Sequence, residues 1–351
     1  MKIAFVWTEF SSYMADCWRT LAACADVRLR VWVERHENGD VAFDPETLMR
    51  GVDYSWLYTE RIGAKEKNRV AEEIAAFDPD VLFVCGWARP LPPFVARCEK
   101  LAKVPKVLCC DMPWEWTMRK IAARFVLWRH LRRFRKIFVP GHRAAIYGRW
   151  LGFRHEDIVQ GEYGIDLSRF GESGPDQRVV LEDTRKRFVF VGRLSPEKGV
   201  VTLVDAYQRY RRKGGDWLLD VYGMGRERKR LNDVDGITVH GFVQPDEIPS
   251  IYAHAGAFVL ASKWDPWPLV ILESCASGLP IICTKNCWNR YELIRENGFV
   301  VPVGDAEAMA TAMLHVGNLK GERGRELAAN YSCKKWTERV VALVREVRDE
   351  K

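Results

Sequence analysis

The chain has 351 residues, too many for one ordinary hydrophobic core, so two domains are expected. Its 48% hydrophobic and 29% charged residues are those of a soluble globular protein, and no run approaches the roughly 20 apolar residues that span a bilayer. The ten cysteines include no Cys-x-x-Cys pair, which argues against a zinc site or disulfide framework and predicts reduced thiols in a cytoplasmic chain.

Met1 opens directly into an apolar strand, residues 2–7, so no signal peptide is expected. A helix at 13–24, a strand at 27–33 and a helix at 66–77 follow. Residues 80–85 form a buried-type strand ending in Gly86-Trp87. Another, 104–110, ends at Asp111, and a third covers 136–139. Buried strands alternating with helices predict a parallel sheet with helices on both faces.

The net charge of +7 is unevenly spread. From Trp116 to His155 the chain carries eleven Lys and Arg residues and no acid. Within it Ile121, Phe125, Trp128, Leu131 and Phe134 recur at helical spacing, which predicts a basic amphipathic helix over 117–136. Two readings stay open: the apolar face packs on its own domain, or the helix attaches to anionic lipid headgroups. No nucleic-acid motif accompanies the charge, so no nucleic-acid partner is expected.

The stretch 164–185 is polar and rich in Gly, Asp, Ser and Pro. It divides the chain into a first domain (1–167), a linker (168–185) and a second domain (186–333), with a charged amphipathic helix at 334–351 expected to pack back on the first. The second half alternates again: strands at 188–191, 217–222, 237–240, 256–260 and 280–283, and helices at 199–212, 246–253, 269–277 and 305–316. Ligands of open α/β sheets bind beyond the carboxyl ends of the strands. Arg193, Gly223, Ser262 and Asp265 all follow strands, so they should line one edge.

Two segments of this half carry chemistry. Phe188–Val191 runs into a Gly turn that holds Arg193 and Lys198. Lys263-Trp264-Asp265-Pro266-Trp267-Pro268 leads into the apolar run Leu269-Val270-Ile271-Leu272-Glu273. Asp265 should sit on the loop and Glu273 roughly two turns into the helix. Two such carboxylates can grip two hydroxyl-bearing parts of one ligand. Cations for a diphosphate and carboxylates for sugar hydroxyls suggest a nucleotide-sugar enzyme. No Asp-x-Asp stands at a strand end to hold a diphosphate-bound divalent cation. A dehydrogenase reading fails, because the first strand leads into Trp7-Thr8-Glu9 rather than Gly-x-Gly-x-x-Gly.

Four motifs fall in one order and spacing. They are Val191-Gly192-Arg193-Leu194 with Lys198-Gly199, Tyr222-Gly223-Met224-Gly225, Gly241-Phe242-Val243, and the acid–x7–Glu segment with Ser277-Gly278-Leu279-Pro280. Residues 188–303 thereby resemble the donor domain of the GT-B glycosyltransferases, specifically glycosyltransferase family 4; residues 81–170 resemble it more weakly. The resemblance implies an α/β fold of GT-B type, with two Rossmann-like doubly wound parallel-sheet domains facing across a cleft. It implies retaining transfer of a hexose-type sugar from a nucleotide diphosphate-sugar to a saccharide or lipid-linked acceptor, as in cell-surface polysaccharide or glycoconjugate synthesis, with no metal and no other cofactor.

By the same resemblance Arg193 and Lys198 clamp the diphosphate, Asp265 contacts the transferred sugar and Glu273 the ribose. Gly192, Gly223, Gly225, Phe242, Val243, Trp267, Leu269 and Val270 complete the donor site. Asp111 is the acceptor-side acid, and Ser11, Ser12, Trp87 and His142 join it on that side. The chain departs from the family's pattern in several places. Asp265 replaces a Glu, Pro268 a Gly, Asp111 a His, and Tyr163 the Asn of an Asn-Gly-Val-Asp motif; Thr8–Tyr13 is not Gly-rich. These departures leave open a catalytically weakened sugar-binding relative. A nucleotide-sugar epimerase of the same fold also stays open.

Overall fold

The structure, a computed structural model, describes residues 1–35, 45–171 and 186–349. Most of the expected linker, from 172 on, and the last two residues of the expected tail helix lie outside the described residues. The chain forms two compact units, Met1–Ile165 with Cys333–Lys351 and Asp166–Ser332.

The first unit holds β1 (Lys2–Trp7), β2 (Arg28–Arg35), β3 (Asp53–Tyr58), β4 (Val81–Cys85), β5 (Lys106–Cys109), β6 (Lys136–Val139) and β7 (Ile158–Gln160). They form one sheet in the order β3-β2-β1-β4-β5-β6-β7, every pairing parallel. Strand order reverses between β1 and β4. Ile3, Ala4, Phe5 and Val6 are fully buried, as are Val81 to Val84, because helices cover both sheet faces. Phe5 stacks on Phe83 at 4.5 Å and ties the two reversing strands together. The helices are α1 (Ser12–Ala22), α2 (Pro45–Leu48), α3 (Ala64–Phe77), α4 (Leu91–Arg97), α5 (Met118–Val126), α6 (Trp128–Leu131) and α7 (His142–Leu151).

The second unit holds β8 (Arg187–Val191), β9 (Leu218–Tyr222), β10 (Ile237–Gly241), β11 (Ala257–Leu260), β12 (Ile281–Thr284) and β13 (Gly298–Val301), in the order β10-β9-β8-β11-β12-β13 and again all parallel. Here the order reverses between β8 and β11. Its helices are α8 (Val200–Arg212), α9 (Ile248–Ala253), α10 (Leu269–Ala276), α11 (Arg290–Leu293), α12 (Ala306–His315) and α13 (Glu322–Ala328). The last helix, α14 (Cys333–Asp349), belongs to the first unit and packs on α1. The buried Trp336 fastens it there, its indole N–H donating to Glu162 O at 2.6 Å.

Two expectations need correction. The single helix expected over 117–136 is two short helices. Leu127 leaves helical geometry (φ −95°, ψ 0°), α6 lasts one turn, and the chain then enters β6. Its apolar stripe divides with it: Leu131 and Phe134 turn into the core, while Phe125 and Trp128 stay exposed. Glu273 lies only one turn into α10, because that helix starts at Leu269 and Glu273 is its fifth residue. The strands that sequence periodicity missed, β3, β7 and β13, are all sheet edges with half-exposed residues, where the buried-strand signal is weakest. Among the described residues no helix is long and apolar enough to cross a membrane.

Candidate functional site

In the second unit the loops after β8, β9 and β11 meet at the carboxyl edge. Gly199 lets the first of them close. It stands in the left-handed region (φ +69°) at the start of α8, and a Cβ there would lie 1.9 Å from Ala261 O. Gly223 (φ +144°) serves the neighbouring crossing, where a Cβ would lie 1.8 Å from Gly192 O. A Cβ on Gly225 would likewise meet Leu194 O at 2.3 Å. The space these glycines leave is thus filled by neighbouring loop backbone, which packs the three loops against one another. Leu194 N donates to Met224 O at 2.7 Å across the same seam.

This packing aims the side chains. Lys198 Nζ lies 2.5 Å from Asp265 Oδ2, a pair whose side chains are 17% and 8% exposed. The lysine comes from the loop after β8 and the acid from the loop after β11, so the pair spans the point where strand order reverses. Asp265 is held by its backbone as well: its N–H donates to Asn286 O at 3.0 Å and its carbonyl accepts from Trp288 N at 3.1 Å. Arg193 stands apart, its side chain 79% exposed and its nearest acid, Glu197, 3.9 Å away. The sequence reading placed Lys198 and Asp265 on different parts of one ligand; the structure pairs them directly.

Pro268 precedes α10, and its carbonyl accepts from Asn289 Nδ2 at 2.8 Å. The first N–H groups of a helix lack intrahelical partners, so α10 offers donors and the positive end of its dipole here. Leu269 and Val270 are half-buried, and Trp267 is buried with its ring 5.4 Å from that of Tyr331. Glu273 is half-buried and accepts from Tyr252 Oη at 3.2 Å. Burial, then the Glu273 charge, hold the Tyr252 phenol well above its ordinary pKa, so it stays a donor. No sequence signal pointed to Tyr252, which comes from α9, 21 positions before Glu273. Phe242 is exposed and Val243 half-buried in the loop after β10.

In the first unit, Ser11 and Ser12 follow β1, Trp87 follows β4, Asp111 follows β5 and His142 opens α7 after β6. All five therefore lie at one carboxyl edge. Ser11 is the N-terminal boundary residue of α1 and caps it with no side-chain bond. Trp87 packs toward Tyr147 at 6.4 Å, His142 is exposed and Asp111 half-buried. Tyr163, which the sequence marked as a departure, donates to Asp111 Oδ2 at 3.3 Å. Beside it Glu162 is 1% exposed, with Oε2 unpartnered among the described residues. Burial, reinforced by the Asp111 charge, pushes the Glu162 carboxyl well above the usual carboxylate range.

The basic segment forms a separate surface. Lys120 and Lys136 are buried, paired with Glu115 at 2.6 Å and Glu346 at 2.7 Å, so they add no surface charge. Arg119, Arg124, Arg129, Arg132, Arg133 and Arg149 make no ion pair among the described residues. Trp116 and Met118 are exposed where α5 begins, and Phe125, Val126 and Trp128 where it ends. An open pocket of about 1040 Å³ lies between α5, α6 and the end of α7, lined in part by Arg124, Phe125, Trp128, Arg132 and Phe153. It adjoins the loops that enter β6 and β7, at the edge of the sheet opposite Asp111. Among the described residues no cluster of three or more His, Cys, Asp or Glu side chains could hold a metal ion.

Residues 185–318, which include every strand of the second unit's sheet, match the family model of glycosyl transferases group 1. The lipopolysaccharide core biosynthesis glycosyltransferase LpsE of Rhizobium meliloti is 32% identical over 171 residues, 44% of this chain and 48% of that protein. The exopolysaccharide phosphotransferase SCO2592 of Streptomyces coelicolor is 28% identical over 179 residues, 46% of this chain and 19% of that protein. The chain spans about half the length, or less, of such curated relatives. Among solved structures, Anabaena Alr3699/HepE in complex with UDP and glucose superposes with a TM-score of 0.76 at 16% identity, covering 99% of this chain and 100% of that one. Together with the two doubly wound parallel sheets, these likenesses define the fold as GT-B.

The Glu162 carboxyl gives a pH prediction. Its folded pKa is raised above its unfolded one, so the native state keeps a proton that the unfolded chain has lost. Stability therefore declines as pH rises above the ordinary Glu value of about 4.3 and on through the folded pKa. Glu162→Gln cannot ionise and removes this loss. Denaturant unfolding should show the variant gaining on wild type between pH 4 and pH 8. A difference that does not change with pH would contradict the buried, protonated state.

Proposed function

We propose that this chain is a retaining, metal-independent glycosyltransferase of family 4 type. It moves a hexose-type sugar from a nucleoside diphosphate-sugar to a saccharide or glycolipid acceptor, in the synthesis of cell-surface polysaccharide or glycoconjugate. The observation that carries this reading is the Lys198–Asp265 pair at the strand-order reversal, next to the N-terminus of α10. The matched family model, the relatives' names and the UDP complex of a structural neighbour support it.

Transfer needs the leaving diphosphate to be neutralised. Lys198, Arg193 and the α10 N–H groups supply fixed positive charge without a divalent cation. An arriving diphosphate competes with Asp265 for Lys198. Asp265 is then released to accept a bond from a sugar hydroxyl. Glu273, steadied by Tyr252, accepts from the ribose hydroxyls. Gly192, Gly223 and Gly225 shape the seam beneath, while Phe242, Val243 and Trp267 wall the base and sugar. On the acceptor side Asp111 orients the attacking hydroxyl among Ser11, Ser12, Trp87 and His142. The acceptor approaches the face that the diphosphate leaves, and a leaving phosphate oxygen takes its proton, which retains the anomeric configuration.

Lys198→Ala should lower kcat/KM by about 30- to 1000-fold, the loss of about 2–4 kcal/mol for one charge-stabilising donor in a closed site. Glu273→Gln should weaken free nucleoside diphosphate binding. Asp265→Asn removes the competitor for Lys198, so it should not weaken that binding, and it should lower turnover. Equal loss of nucleotide affinity in both variants would contradict the division of roles. The released product separates sugar transfer from sugar-phosphate transfer, one form that the phosphotransfer named for SCO2592 would take on such a donor. Sugar transfer releases nucleoside diphosphate, and sugar-phosphate transfer releases nucleoside monophosphate.

The exposed face of α5 supports peripheral attachment to the cytoplasmic face of an anionic membrane, where a lipid-linked acceptor resides. Each surface Lys or Arg near such a membrane contributes about 1 kcal/mol, and this face adds exposed Trp116, Met118, Phe125, Val126 and Trp128. Co-sedimentation with anionic phospholipid vesicles should occur at low salt and be lost at high salt and in an Arg132→Glu/Arg133→Glu variant. No binding at low salt would end the membrane reading.

A further inference from the structure

The segment after β7 turns back across the carboxyl edge of the first sheet. Gly161 N and Glu162 N both donate to Val139 O, at 2.8 and 3.1 Å, where β6 ends. Tyr163 then reaches past β6 to the end of β5, its hydroxyl 3.3 Å from Asp111 Oδ2. Its ring stands edge-on to Tyr13 of α1, with centroids 5.4 Å apart. Gly164 O accepts from Cys17 Sγ at 3.4 Å, and Ile165 O from Cys333 N at 2.9 Å. The strap is thus tied at β6, α1 and α14, and Tyr163, 7% exposed, is locked beneath the edge. Two positions at which the chain departs from the pattern it resembles, Asp111 and Tyr163, therefore touch each other.

We propose that Tyr163 is a positioning residue: its hydroxyl fixes the Asp111 carboxylate so that Asp111 accepts a hydrogen bond from the acceptor hydroxyl and aligns it for attack. This rests on the glycosyl-transfer reading. A carboxylate on a short side chain rotates readily, and alignment of reacting groups is lost with small displacements. A phenol O–H to a carboxylate is a charge-assisted bond. Its 3.3 Å length is loose, as catalytic hydrogen bonds often are before substrate binds. The surroundings suit this task. Burial, then Asp111 and then Glu162, raise the Tyr163 phenol well above its ordinary value, so it remains a donor. Glu162, Tyr13, Cys85, Cys109 and Cys110 face the same edge. Each has its ionisation suppressed, first of all by burial.

Tyr163→Phe removes the hydroxyl and keeps the ring against Tyr13. In the full chain we expect kcat to fall about tenfold while the KM for the nucleotide-sugar is unchanged. In an Asp111→Asn background the same change should have no further effect. A packing role would cost the same factor in both backgrounds and would overturn the proposal, as would wild-type kcat in Tyr163→Phe. A thermal unfolding cycle on wild type, the two single variants and the double variant reads the contact without activity. Coupled losses show that the bond forms; additive losses overturn it. If wild type transfers sugar from no donor while the unfolding cycle still shows coupling, the glycosyl-transfer reading fails instead, and Tyr163 is reduced to a structural partner of Asp111.

Discussion

The Lys198–Asp265 ion pair is the contact around which the carboxyl edge of the second unit is organised. It joins the loops of β8 and β11, the neighbouring strands at which the sheet reverses its winding. At such a point the two loops diverge to opposite faces of the sheet and leave a crevice between them. The pair sets a cation and an anion side by side there, both largely buried. Desolvating two charges is expensive, and mutual attraction offsets that cost only while the pair remains intact. A diphosphate can replace the carboxylate as the partner of Lys198 without leaving the cation bare. On the proposed reading, the resting pair keeps the two charges in place before a donor binds.

Everything that aims this pair is backbone geometry. Gly199 and Gly223 permit contacts to Ala261 O and Gly192 O that any Cβ would block. Lys263 N donates to Glu197 O at 2.7 Å and stitches the two loops from the other side. Asp265 is pinned to the loop after β12. Its side chain is one methylene shorter than the Glu of the family pattern, and it meets Lys198 at 2.5 Å. The first unit obeys the same parallel-sheet rule: its loops after β1, β4, β5 and β6 converge at one edge, crossed by the strap that carries Tyr163.

Much of this was legible in the sequence. Central strands such as 80–85 and 188–191 announce themselves by unbroken apolar runs, because both sheet faces are buried. The Gly, cation and acid motifs all follow strands of the second unit, and the structure brings the loops that carry them together at its carboxyl edge. Partnership was not legible. Nothing in the chain's spacing says that Lys198 meets Asp265, 67 positions on, or that Tyr252 steadies Glu273. Such contacts depend on strand order, which sequence periodicity does not carry. The helix over 117–136 was misread because five apolar residues at helical spacing looked like one continuous apolar face. Leu127 breaks that helix, so the stripe is split between core and solvent. Buried Lys120 and Lys136 looked like surface charge for a similar reason: their acid partners Glu115 and Glu346 lie outside the acid-free stretch.

The central claim is that fixed cations and backbone N–H groups do the work of a metal ion at the diphosphate. Calorimetric titration of the full chain with UDP, GDP and ADP, in EDTA and again with Mn²⁺, tests it most directly. The account predicts that one of the three binds in EDTA, that Mn²⁺ leaves its affinity essentially unchanged, and that Lys198→Ala weakens the binding strongly. Binding that requires Mn²⁺, or that survives intact in Lys198→Ala, would contradict it.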